Sequence, residues 1–139
     1  MKTIALLAAC GCVLLVDGPA SGQGQPKANC KNPQTQMEMT YCAEQGYNAA
    51  DKALNAQYQL ARKAAKKWDV DAATEQPASD AALVAAQRAW VAYRDAHCES
   101  VGWQAHGGSM EPQLIYDCSA DLTRQRTAQL KELTEAFGN

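Results

Sequence analysis

Four cysteines, Cys30, Cys42, Cys98 and Cys118, follow an N-terminal stretch with the form of an export leader. Together these features confine the chain to small folds that are cross-linked outside the cytoplasm. The leader is read from Met1-Lys2-Thr3, a positively charged start, and from Ile4 to Val16, a nearly unbroken apolar run. That run is shorter than the ~20 apolar residues of a membrane span, and polar, glycine-rich Asp17 to Gln25 follows it at once. No transmembrane segment is therefore expected. Ala20 and Gly22 fit the small residues that precede signal cleavage, so residues 1–22 are expected to be removed and the mature chain to start near Gln23. Leu7-Ala8-Ala9-Cys10 also has the form of a lipidation site, but Ile4 to Ala9 is shorter than the ~7–15 residues of a signal's apolar region. Cys10 and Cys12 are accordingly assigned to the discarded leader, and the protein to the periplasm or the exterior.

Residues 23–139 amount to one domain, enough for a single core and too few for two. An even set of four cysteines in such a chain reads as two disulfides. The formal net charge is −2, and loss of the leader, with Lys2 and Asp17, leaves it unchanged. Neither a nucleic-acid surface nor a strong electrostatic field is implied.

Residues 23–34 read as a flexible approach, tied down at Cys30. Thr35-Gln36-Met37-Glu38 is a capping box that opens a first helix running to Trp68. Tyr47, Asp51, Leu54, Tyr58, Ala61, Ala65 and Trp68 recur at four- and three-residue steps and mark its inner face. Gly46 costs up to ~1 kcal/mol there, so a bend or break is expected at that point. Asp69 to Ser79, with Pro77, reads as a linker in which Asp69 and Asp71 are solvated. A second helix capped by Ser79 or Asp80 is expected to reach Cys98, burying Leu83, Gln87, Trp90, Val91 and Arg94. After a loop from Gly102 to Pro112, a third helix runs to about Phe137, with Ile115, Cys118, Leu122, Arg126, Leu130, Leu133 and Phe137 inward and Gly138 at its end. No alternating strand pattern or repeat competes. The fold class is all-α: an antiparallel bundle of three main helices, stapled by two disulfides that contribute ~2–4 kcal/mol each to a core rich in Ala and polar residues.

Helix ends favour the local pairings Cys30–Cys42 and Cys98–Cys118, while crossed pairings such as Cys30–Cys98 stay open. Charged residues on inner faces need partners. Asp51 is expected to pair with Arg94 or Arg126 between helices, with Asn55 and Gln87 completing the hydrogen bonds. His97, Cys98, His106 and Cys118 match no common zinc spacing, and disulfide chemistry claims the thiols, so neither metal nor cofactor is expected. No Ser, His and carboxylate set suggests catalysis.

Several segments together carry a resemblance. They are Cys30; Met37-Glu38-Met39-Thr40-Tyr41-Cys42-Ala43; Ala50-Asp51-Lys52-Ala53-Leu54-Asn55-Ala56-Gln57-Tyr58; the helix Ala86-Gln87-Arg88-Ala89-Trp90-Val91-Ala92-Tyr93-Arg94-Asp95-Ala96-His97-Cys98; Gly107-Gly108-Ser109; and Cys118 with Leu122-Thr123-Arg124-Gln125-Arg126. This ordered set resembles the LprI-type lysozyme-inhibitor domain family of exported bacterial proteins, over nearly all of the mature chain. The resemblance implies a helical periplasmic or surface domain and a binding rather than an enzymatic role, with lysozyme or another cell-wall hydrolase as partner.

The loop 104–112 is the element expected to meet such a partner, through Trp103, His106, Gly107, Gly108 and Ser109. A Cys98–Cys118 bond would hold it at both ends, and a pre-shaped loop loses less entropy on binding. Lysozyme works with two carboxyl groups in a cleft, which a narrow Gly-Gly-Ser tip could enter, hydrogen-bonding through Ser109 and backbone N–H groups. The competing reading of the loop is a plain helix-to-helix turn with Ser109 as a cap. The competing reading of the whole is an envelope structural or stress domain that binds peptidoglycan or a periplasmic protein.

Overall fold

A computed structural model describes residues 28–72 and 79–138. The leader, residues 23–27 and the stretch containing Pro77 lie outside the described residues. Among the described residues three helices make up the fold: α1, Gln36–Asp71; α2, Ser79–Gly102; and α3, Glu111–Gly138, with a 3-10 turn at Trp103–Ala105 between the last two. Among the described residues there is no strand.

The start of α1 is dictated locally. The Thr35 hydroxyl accepts the Glu38 N–H at 3.2 Å, and the Glu38 carboxylate accepts the N–H groups of Thr35 at 3.1 Å and Gln34 at 2.7 Å. These backbone donors hold the Glu38 carboxyl below its ordinary range. α1 then continues unbroken through Gly46 to Asp71, so the helix does not break there. The helical hydrogen-bond ladder on either side carries the glycine, and a Cβ there would meet nothing within 4 Å.

Two side-chain bonds fix the arrangement of α1 and α3. The Gln36 amide donates to Gln113 Oε1 at 2.8 Å, and the Gln57 amide donates to Thr134 Oγ1 at 2.9 Å, both at a separation of 77 residues. The helices therefore run parallel and in register. α2 runs antiparallel to both, because Asp80 at its start meets Arg62 and Cys98 near its end is bonded to Cys118. The result is an up-down-up bundle with α3 packed along most of α1.

The α1–α2 junction departs from expectation. Asp69 is not a solvated linker residue but still belongs to α1, and its carboxylate accepts the Ser79 N–H at 2.8 Å, the Ser79 hydroxyl at 2.6 Å and the Asp80 N–H at 3.2 Å. The free amides at the start of α2 are thus satisfied from the preceding helix rather than by Ser79 or Asp80. Burial pushes the Asp69 carboxyl up, but these donors together hold it below the ordinary range. Asp80 is released to form a two-point pair with the Arg62 guanidinium, both contacts at 2.7 Å.

The apolar core occupies one half of the bundle. Leu54, Ala61 and Ala65 of α1, Leu83 of α2 and Leu130 of α3 form a buried cluster, with Tyr58, Trp90, Leu133 and Phe137 packed against it. Ala61 and Ala65 lose all solvent contact because their small side chains let the helices approach closely. Trp68, placed inward by spacing, is partly exposed and lies 6.0 Å from the Phe137 ring. On α3 the first half of the buried face is rotated from the one expected. Ser119, Ala120, Thr123 and Leu130 are its most buried residues, while Ile115, Cys118, Leu122, Arg126, Leu133 and Phe137 flank them. The wholly buried Thr123 hydroxyl lies 3.4 Å from Arg94 Nη1 as an acceptor, and beside it the half-buried Thr127 and Thr134 hydroxyls donate to the carbonyls of Thr123 and Leu130 at 2.8 and 2.7 Å.

Gly102 is the last residue of α2 rather than the start of a loop, and it is buried. A Cβ there would lie 2.6 Å from Ile115 Cγ1 and 2.9 Å from Cδ1, so only glycine permits the close approach of α3. The two helical glycines should therefore respond oppositely to alanine. Gly46→Ala should raise stability by about 0.5–1 kcal/mol through helix propensity, and Gly102→Ala should lower it by about 1–3 kcal/mol through overpacking. Denaturant melts of the two variants check both signs.

Candidate functional site

The end of the bundle that carries the start of α1 is held by covalent bonds and polar contacts rather than by an apolar core. The four thiols form Cys30–Cys42, at an S–S distance of 1.99 Å, and Cys98–Cys118, at 2.00 Å. The crossed pairings are not formed. The first bridge closes a short turn over the start of α1, in which Asn32 N–H donates to the Asn29 carbonyl. The second joins α2 to α3 behind the loop, with Cys98 wholly excluded from solvent.

Between that bridge and the apolar cluster lies Arg94, 6% exposed. Its guanidinium sits between two rings, 5.3 Å from the Tyr47 centroid and 5.1 Å from that of Trp90. Its Nε donates to Asp95 at 2.8 Å, and Nη1 lies 3.4 Å from both Asp51 Oδ1 and the Thr123 hydroxyl. Burial works against the charged form, but the Asp95 hydrogen bond, Tyr47 and the carboxylates of Asp95 and Asp51 outweigh it, and the group stays protonated. Asp51 lies at the rim of the stripe rather than inside it, and accepts the Asn55 amide at 2.8 Å. Arg126 is elsewhere: its Nε donates to Gln87 Oε1 at 3.1 Å and Nη1 to Gln129 at 3.2 Å. Asp51, Asn55 and Arg94 thus form one network, and Gln87 and Arg126 a second. Among the described residues no group of three or more His, Cys, Asp or Glu side chains converges as metal ligands would.

The loop is a built structure. Trp103, 61% exposed, stacks on the His106 ring with centroids 4.0 Å apart and planes 10° from parallel. Gly107 has φ of 75°, a left-handed turn that favours glycine. Glu111, the first residue of α3, reaches back across the turn: one oxygen accepts the Gly107 N–H at 2.7 Å and the other lies 3.1 Å from His106 Nδ1. The Gly107 N–H, the His106 contact and the His106 charge hold the Glu111 carboxyl below its ordinary range. His106 N–H donates to Trp103 and Gly108 N–H to Ala105. The amides of 106–108 are therefore engaged inside the loop, and the expected outward use of the glycine N–H groups does not fit. Ser109 and Met110 point to solvent, and among the described residues no hydrogen bond joins the Ser109 hydroxyl to α3, so Ser109 is not its cap.

Beside the loop runs a groove of about 560 Å³ that sequence reasoning missed. Met37, Tyr41 and Pro112 supply its apolar surface, and Thr40, Glu44 and Ser109 its polar groups. The signal was present in part: Met37 and Tyr41 lie one helical turn apart, off the inward stripe. Their proximity to Ser109 needed the parallel register of α1 and α3.

The lowered Glu111 carboxyl gives the loop a pH dependence. Its contribution is complete above the ordinary glutamate range, near pH ~4.3, and is lost as pH falls through the depressed folded-state value. In an acid titration the Gly107 amide resonance should move with Glu111 as the clamp opens, and Glu111→Gln should abolish that step. A Gly107 amide unmoved down to about pH 2 would contradict the clamp.

Residues 27–130 match the family described as lysozyme inhibitor LprI. A protein of Rhizobium meliloti (strain 1021), named only as uncharacterised, is 45% identical over 130 residues, covering 91% of this chain and 93% of that protein. No solved structure matches. With a match over most of its length, by residues that include all four bonded cysteines and the loop, the chain belongs to the LprI lysozyme inhibitor family.

Proposed function

We propose that the protein is exported, loses residues 1–22, and inhibits lysozyme or a related cell-wall hydrolase by placing the 104–112 loop, with Trp103 at its base, in the enzyme's cleft. Family membership supports the activity. Export is supported by the leader pattern and by two disulfides, which persist in oxidising compartments. Among the described residues no helix is long and apolar enough to cross a membrane.

The observation that carries the choice of loop is its rigidity. Cys98–Cys118 fixes its base, the Trp103–His106 stack stiffens one side and the Glu111 clamp closes the other. A loop already shaped loses little entropy on binding, and tryptophan is among the residues enriched at interface hot spots. At the tip, Ser109 offers a hydroxyl donor to a carboxylate, since the glycine amides are engaged internally.

Titration of purified protein into cell-wall cleavage assays with animal and bacterial lysozymes tests the reading. Cleavage should fall stoichiometrically for at least one enzyme, and Trp103→Ala should raise the inhibition constant by at least about tenfold. Unchanged cleavage at large molar excess for every enzyme would overturn the inhibitor reading, and retention on sacculi in the same preparation would favour a peptidoglycan-binding role.

A further inference from the structure

The groove between α1 and the loop has a chemistry of its own. Met37 is 76% exposed and Tyr41 39%, two large apolar side chains open one helical turn apart on the same face of α1. Its volume lies within the ~300–1,000 Å³ of ligand-sized clefts. Most of the polar groups along it are already engaged. The Gln36 amide donates to Gln113 at 2.8 Å and lies 3.3 Å from the Thr40 hydroxyl, and the Glu38 carboxylate is held by the N–H groups of Gln34 and Thr35. Glu44 is different: it is half-buried and, among the described residues, its carboxylate makes no hydrogen bond or ion pair. Among the described residues no Lys, Arg or His lines the groove.

Charge and shape together select an occupant. An anion would face the carboxylates of Glu38 and Glu44, with no cation among the described lining residues to offset them. A purely apolar chain would strip water from Glu44 and give nothing in return. A long basic side chain satisfies both halves of the groove. Its hydrocarbon stem lies against Met37 and Tyr41, its charge reaches Glu44, and a planar guanidinium can also stack on the Tyr41 ring and donate to the Thr40 and Ser109 hydroxyls. We infer that this groove is a docking site for an arginine side chain of a protein partner. That the partner is the hydrolase engaged by the neighbouring loop rests on the inhibitor reading; the selectivity of the groove does not, and is measured without a hydrolase.

The probe is a blocked glycine-rich hexapeptide with one central arginine, titrated into isotope-labelled protein with both disulfides formed, beside its citrulline twin and chitotetraose. The Met37 methyl and Tyr41 ring resonances should move with the arginine peptide, and affinity should drop about fivefold for citrulline and for Glu44→Gln. The substitution Glu132→Gln, at the far end of α3, should leave binding unchanged. Silent Met37 and Tyr41 resonances, equal binding of the citrulline peptide, or no effect of Glu44→Gln would each overturn the assignment. So would a response to chitotetraose alone, which would make the groove a sugar site.

Discussion

The Cys98–Cys118 bond is the constraint on which the candidate binding end depends. The buried apolar cluster lies toward the other end of the bundle, around Leu54, Ala61, Ala65, Leu83 and Leu130, and none of its residues lies near the loop in sequence. Where α2 turns into α3, hydrophobic burial contributes little, because the buried residues are Cys98, Gly102, Ser119 and Ala120. A covalent link there removes freedom from the unfolded chain. It also brings Ile115 onto Gly102, the close contact from which the loop departs.

Between the two ends, Arg94 fills a place that a large apolar residue takes in most bundles. Removing a guanidinium from water is costly unless its charge and donors are met. Here two aromatic faces and three oxygen-bearing side chains meet them, and Asp51 and Asp95 supply their charge from the rim, where they keep part of their hydration. Such an arrangement adds little net stability. Its consequence is register, because Asp51, Arg94 and Thr123 come from three different helices and agree in only one alignment. The matched offset of Gln36 with Gln113 and Gln57 with Thr134 repeats that alignment on the surface.

Much of this was legible in the residues, and the parts that were not have identifiable causes. The capping box at Thr35, the all-helical class and the second helix's stripe of Leu83, Gln87 and Arg94 are local or periodic signals, and the structure carries all three. Gly46 was misjudged because a single propensity cost is small against a helix of 36 residues held along its length by α3. On α3 Leu130, Leu133 and Phe137 face the core as expected, but the first half of the buried face was missed because apolar size was used as the guide, whereas Ser119, Ala120 and Thr123 are more buried than Ile115, Leu122 and Arg126. Asp69 could not be recognised as a cap for α2, since the donors it accepts from lie ten and eleven residues further along the chain. The groove at Met37 and Tyr41 depends on which helices lie parallel, which no spacing within one helix reveals.

The candidate binding end therefore combines a clamped loop and an exposed stacked tryptophan, whose base Cys98–Cys118 holds, with an adjoining acidic groove between α1 and the loop. The most direct measurement is amide hydrogen exchange on a Cys98→Ala/Cys118→Ala variant that keeps Cys30–Cys42. The account predicts that amides from 103 to 111 lose their protection while those around Leu54 and Leu130 keep most of theirs. Loop amides that exchange as slowly without the bridge as with it would contradict the account.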